Sequence, residues 1–132
     1  MKVVALDYGS ARTGVAVSDP TGTIARPLGV VERAASEAGL ARLADLVREE
    51  GAERIVVGLP LTLRGERGAQ AQETEAFVEA LREAVEVPVE SYDERFTTGL
   101  AASVGSDDAP EDARAAAHLL SSYLAWSSAG RE

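Results

Sequence analysis

The chain predicts an α/β fold, a mixed five-stranded sheet flanked by helices. Three observations predict it. Three short strand-like segments follow one another before Val31, the apolar period then lengthens to that of a helix, and helical and strand-like stretches alternate from there on. Such an order makes a meander on one side of the sheet and helical crossovers on the other. The crossovers set the first, fourth and fifth strands parallel if they are neighbours. At 132 residues the chain has room for one domain, 1–132, and one core.

Val3 to Leu6 is an apolar run that ends at Asp7 and meets Gly9, a buried strand and its turn. Gly14 to Ser18 is the second strand, and Asp19-Pro20-Thr21-Gly22 has turn chemistry. Thr23 to Val31 completes the meander. Pro27 has no backbone N–H to give a neighbour, so this third strand belongs at an edge. Leu40, Leu43, Leu46 and Val47 recur at helical spacing, and Gly51 stands where that helix should end. Arg54 to Leu59 is a buried strand, followed by a loop, Leu61 to Gly68, that carries Arg64 and Arg67. Gln70 to Glu86 reads as a helix with Phe77, Ala80, Leu81, Ala84 and Val85 as its apolar stripe. Val87 to Tyr92 is the fifth strand, a short helix begins near Thr97, and a last helix runs from Pro110 to Ser127.

Composition narrows the function. The chain has no cysteine, which excludes disulfides and thiolate metal sites and fits a reducing compartment. Met1-Lys2 leads straight into a strand-like segment too short for a signal peptide or a membrane span, so a cytoplasmic protein without a membrane partner is expected. A net charge of −9 argues against gripping nucleic acid by bulk electrostatics. An enzyme that meets a polyanion through a local basic rim and divalent cations is still compatible with it.

In open α/β sheets ligands bind at the carboxyl ends of the strands. Asp7, the Pro60–Gly68 loop and Asp93-Glu94-Arg95 sit at three such ends and should converge. Each acid also has a plain structural reading. Asp7 can cap the bend at Gly9, as Asp19 and Asp107 do more obviously in their turns. Glu94 can belong to a solvated loop ahead of a helix capped by Thr97 or Thr98. Asp112 can favour the dipole of the last helix in its first turn. Yet Asp112, Ala116, Leu119 and Tyr123 fall on one row of that helix, which carries the acid toward the sheet. Three carboxylates from separate segments suit Mg²⁺ or Mn²⁺, which take oxygen ligands and serve phosphodiester cleavage.

Other chemistries fit less well. His118 is the single histidine and lies off the Asp112 row, so neither a Ser-His-Asp set nor a zinc site can be assembled around it. Tyr123 and Trp126 read as helix-packing residues. Gly9 to Val15 lacks the lysine of a phosphate-binding P-loop. An aspartate before a glycine-containing hairpin also fits the start of actin-like and sugar-kinase ATPases, but those need a second lobe.

The motifs taken together resemble a known family. They are Leu6-Asp7-Tyr8-Gly9 with Arg12 to Asp19, Val57-Gly58-Leu59-Pro60-Leu61 with Gly65 and Gly68, Asp93 to Thr98, and Asp112 ahead of Ala115-Ala116, Leu119-Leu120 and Tyr123-Leu124. This pattern is similar to the YqgF/RuvX family, over nearly the whole chain. The resemblance implies a ribonuclease H-like fold and a nuclease that matures the 5′ end of pre-16S rRNA, with Holliday junction resolution as the alternative. It implies Asp7, Glu94 and Asp112 as catalytic, metal-holding acids. Gly9, Arg12, Gly14, Gly58, Pro60, Gly65, Gly68, Arg95 and Thr98 would shape the site, and Arg64, Arg67 and Arg95 would form the basic rim. The stretch from Ala102 to Asp112 departs from the family pattern, being short, without basic residues, and containing Asp108 as a rival third acid. A weakly catalytic RNA-binding assembly factor is a further reading, and the protein is expected to be a monomer or weak homodimer acting on structured RNA or branched DNA.

Overall fold

The computed structural model describes residues 1–60, 68–93 and 109–128. Its strands are β1 (Val3–Asp7), β2 (Arg12–Ser18), β3 (Ala25–Glu32), β4 (Arg54–Leu59) and β5 (Val89–Asp93), with helices α1 (Glu37–Glu50), α2 (Ala69–Ala84) and α3 (Glu111–Ser128). The five strands form one mixed sheet in the order β3-β2-β1-β4-β5. β1, β2 and β3 are an antiparallel meander, while β1, β4 and β5 run parallel, as the crossover argument required. The short helix expected near Thr97 lies outside the described residues.

Alternation along the strands sends side chains to two cores. Val4, Leu6, Val15, Val17, Ile55 and Val57 face α1 and α2 and meet Leu43, Val47, Phe77 and Leu81. Val3, Ala5, Ala16, Ala25, Val56 and Tyr92 face α3, where Ala116, Ala117, Leu120 and Tyr123 cover them. Alanines stand on both sides of this second interface, and small side chains let a helix axis approach a sheet closely. Arg54, the first residue of β4, donates to the Tyr123 hydroxyl at 3.0 Å, and that hydroxyl donates to Glu90 at 3.0 Å. The late turns of α3 are thereby held near the amino ends of β4 and β5, and its first turn reaches the opposite edge of the sheet.

Local chemistry explains most boundaries. Ser36 caps α1 by accepting from the Gly39 amide, and Gly51 closes it in the left-handed region at φ 68°. β3 is indeed an edge strand. Its register slips between Val15, opposite Gly29, and Ala16, opposite Pro27, so that Leu28 is extra. At the other edge, Arg82 Nε and Nη2 donate to the Val89 carbonyl at 3.2 and 3.0 Å, covering one outward acceptor of β5. β2 starts earlier than Gly14, because Arg12 and Thr13 already pair with Glu32 and Val31. β5 starts later than Val87, after Pro88.

The stripe of α2 differs from the sequence expectation. Ala71, Thr74, Phe77, Val78 and Leu81 are its buried residues, whereas Ala84 is exposed and Ala80 and Val85 are half-buried. The buried face runs from Ala71 to Leu81, and in the last turn Arg82 bonds the Val89 carbonyl and Val85 packs against the core, while Ala84 faces solvent. Thr74 is buried although polar, because its hydroxyl donates to the Gln70 carbonyl at 2.8 Å. Among the described residues no helix is long and apolar enough to cross a membrane.

Asp19 is the turn residue that the sequence suggested. Its carboxylate accepts from the Ile24 amide at 2.9 Å, the Thr23 amide at 2.8 Å and the Thr21 hydroxyl. These bonds, Ile24's first, hold its carboxyl well below the usual carboxylate range. A lowered folded pKa stabilises above the unfolded pKa, and that contribution is lost as pH falls through the folded one. Asp19→Asn should therefore lower the melting temperature at neutral pH, with the deficit shrinking as pH drops from the ordinary carboxylate range downward. A pH series of thermal melts checks this, and a deficit that stays constant down to acid pH would contradict it.

Candidate active site

Gly14 organises the site. It lies directly opposite Asp7 in the β1–β2 ladder, so their Cα atoms are about 5 Å apart and both residues present the same face of the sheet. That face is the α3 face, since Asp7 keeps the parity of Val3 and Ala5. A Cβ placed on Gly14 would come within 1.8 Å of the Asp112 carbonyl oxygen and 3.0 Å of the Ala113 nitrogen. The first turn of α3 thus rests its backbone on Gly14, immediately beside Asp7. Two acids distant in sequence are brought to one sheet edge by a position that only glycine can fill.

Ala116, Leu119 and Tyr123 are buried, Glu111 is exposed, and Asp112 is half-buried at the rim. Its Oδ2 lies 3.1 Å from Arg12 Nε. This ion pair was not legible in the sequence, because it joins the first residue of β2 to the first turn of α3.

Gly9 bends tightly after β1, since a Cβ there would sit 2.5 Å from the Arg12 carbonyl oxygen. Between them in the chain, Ala11 accepts from the Arg33 amide at 3.0 Å, which ties the start of β2 to the end of β3. Arg33 is the one non-glycine residue at positive φ, 49°, among those described. Tyr8 turns the other way. Its ring stacks on Phe77 with centroids 4.5 Å apart, and its hydroxyl donates to Glu73 at 2.8 Å. Burial first, then the Glu73 hydrogen bond and charge, push its phenol up to about 12. Tyr8 therefore stays neutral at working pH and acts as a donor that holds α2 against the turn after Asp7.

β4 and β5 end at Leu59 and Asp93 on the same edge as Asp7. Gly58 is buried opposite Tyr92, Pro60 follows at half-burial, and Gly68 is the residue before α2, without a side-chain cap. Glu94, Arg95, Thr98 and Asp108, with Arg64, Gly65 and Arg67, lie outside the described residues. Among those described, no three acidic or histidine side chains converge as a metal-holding group. His118 is half-buried off the Asp112 row. Tyr123 is buried, and Trp126, 40% exposed, packs at 5.4 Å from Tyr92 and 5.9 Å from Tyr123.

The family comparison and the curated relatives point to one family, and the solved structures to its fold. The family described as "RuvX: Holliday junction resolvase" matches residues 1–126. A relative from Desulforudis audaxviator, named "Putative pre-16S rRNA nuclease", is 38% identical over 139 aligned residues that cover 99% of both chains. One of the same name from Chloroflexus aurantiacus is 47% identical over 96 residues, covering 73% of this chain and 63% of its own length. Among solved structures, a Thermus thermophilus RuvC in complex with Holliday junction substrate superposes with a TM-score of 0.69, covering 98% of this chain and 96% of that one. At 18% identity this likeness is one of fold, the ribonuclease H-like sheet with its flanking helices.

Proposed function

This chain belongs to the RuvX (Holliday junction resolvase) family, and from that membership we propose that it is a divalent-metal-dependent nuclease hydrolysing phosphodiester bonds in an rRNA precursor. The observation that carries the proposal is the seat of the Asp112 backbone on Gly14, directly opposite Asp7, at the carboxyl edge of the sheet. Glu94, which follows β5 directly in the sequence, is the third acid of this reading.

The residues fit a hard cation. Their donors are carboxylate oxygens, the chain contains no thiolate, and one of the two carboxylates already takes a positive group, the Arg12 guanidinium. Asp7, Glu94 and Asp112 would hold Mg²⁺ or Mn²⁺, which supplies the Lewis acidity that phosphodiester hydrolysis requires. The protein's part is positional. β1 and the α3 backbone fix Asp7 and Asp112, the glycine at 14 admits their close approach, and Tyr8 with Glu73 keeps the turn after Asp7 in place. Arg12, with Arg64, Arg67 and Arg95, would orient the phosphate backbone, Gly9, Gly65, Gly68 and Thr98 shaping the loops around it.

The choice of RNA over a four-way junction rests on the names of the relatives and on charge. Resolving a junction takes two coordinated cuts, usually by a symmetric dimer with a broad basic face. A chain with 13 basic against 22 acidic residues can furnish a narrow rim more readily than such a face. On this reading the protein is cytoplasmic, a single nuclease domain, and a monomer or weak homodimer. Initial rates on a pre-16S 5′ leader and on a four-way DNA junction, at equal Mn²⁺ and with sedimentation to fix the mass, test it. Metal-dependent cleavage of the leader, abolished by chelation, is expected. Paired symmetric cuts on the junction by a dimer, with the leader intact, would overturn the substrate, and no metal-dependent cleavage of either would overturn the activity.

A further inference from the structure

We infer that Arg12 is an exchangeable counter-ion for Asp112, holding the carboxylate until a divalent cation takes it and then turning to the phosphate of the bound nucleic acid. This rests on the metal-dependent reading above and adds a role that the motifs alone do not assign.

Arg12 is paired with Glu32 in the β2–β3 ladder, and the neighbouring Ala11 carbonyl is tied to the Arg33 amide. The Asp112 backbone is seated on Gly14. Neither main chain can shift without breaking the sheet or lifting α3, so the contact of Arg12 Nε with Asp112 Oδ2 at 3.1 Å opens by rotation of the arginine side chain. That side chain is 64% exposed and the aspartate's 35%. Exposed pairs of this kind hold weakly, so a doubly charged ion has little to displace. A guanidinium and a divalent cation repel at such distances and cannot share one carboxylate without loss.

The released side chain has two places to go. Glu32, its partner across the ladder, is exposed and on the same face, about 5 Å away at the Cβ atoms. A phosphate oxygen of bound nucleic acid is the better acceptor, because the guanidinium presents a planar fork of donors that matches it. Loading the cation therefore frees the arginine that would orient the substrate, which orders the two binding events.

Titration calorimetry with Mn²⁺ on the full chain, without nucleic acid, tests the exchange. Arg12→Gln should tighten Mn²⁺ binding by about threefold, the size expected for releasing an exposed pair. Arg12→Lys, which keeps the charge, should stay near the parent. Arg33→Gln removes an equal charge beside Ala11 without touching the pair and should leave the affinity unchanged. Asp112→Asn should weaken Mn²⁺ binding and erase the difference between arginine and glutamine at position 12. With Ca²⁺ in place of Mn²⁺, Arg12→Gln should also bind an RNA hairpin about threefold more weakly. An affinity that is unchanged or weaker in Arg12→Gln, or that rises equally in Arg33→Gln, overturns the exchange and leaves the nuclease reading standing. Unaltered RNA binding removes the phosphate half of the inference. Failure of the parent to bind Mn²⁺ at all sinks the metal reading, and the exchange with it.

Discussion

Asp7→Asn is expected to abolish cleavage while the protein stays folded. The amide is the size of the carboxylate and can keep hydrogen bonds at the end of β1, but it carries no charge to hold a divalent cation. A loss of about 4 kcal/mol of transition-state stabilisation, roughly a thousandfold in rate, follows if the cation depends on this oxygen pair. Asp7 borders the interface of the sheet with α3, so folding must be measured beside activity. Circular dichroism should match the parent, and the melting temperature should lie within a few degrees of it. Asp19→Asn serves as the control for removing an aspartate as such: Asp19 is spent on the Thr21–Ile24 turn, away from Gly14, and its loss should leave the rate intact. Cleavage by Asp7→Asn at the parent's rate, under matched metal, would refute the role given to Asp7.

The second large effect belongs to a residue with no side chain. Gly14→Ala places a methyl group where the Asp112 carbonyl oxygen already stands, 1.8 Å away, and 2.3 Å from the Asp112 carbonyl carbon. Both atoms are backbone, so neither can rotate aside, and the first turn of α3 must lift off the sheet. Overpacking of this kind costs about 3 kcal/mol. For a chain of this length that is a fall of about 10 °C in melting temperature. Activity should fall further than stability accounts for, because the same shift carries Asp112 away from Asp7. Gly29→Ala is the matched control: it lies in the neighbouring strand β3, and an added Cβ there meets nothing within 4 Å. A Gly14→Ala protein as stable as Gly29→Ala would mean that α3 is not seated as described.

Much of this molecule is legible in the chain because its chemistry is local. Pro27 marks an edge by lacking an amide, Gly51 ends α1 by accepting a left-handed backbone, and Asp19 closes a turn with its own carboxylate. The parallel direction of β1, β4 and β5 follows from their helical crossovers, and the Asp112 row from helical period, whereas the order of the strands is read from the structure. In α2 the helical period picks Ala84, which is exposed, because a period tells which residues align along a helix but not how far round it the core reaches. The family resemblance implies that Asp7 and Asp112 share a site, and the tertiary structure lays the Asp112 backbone against Gly14, directly opposite Asp7. Their proximity depends on Gly14, whose missing Cβ matters only once a helix about a hundred residues later lies across it. The Arg12–Asp112 pair is of the same kind. A charge in a sequence has a sign but no neighbour, and its partner is decided when the packing of α3 on β2 brings two distant backbones together.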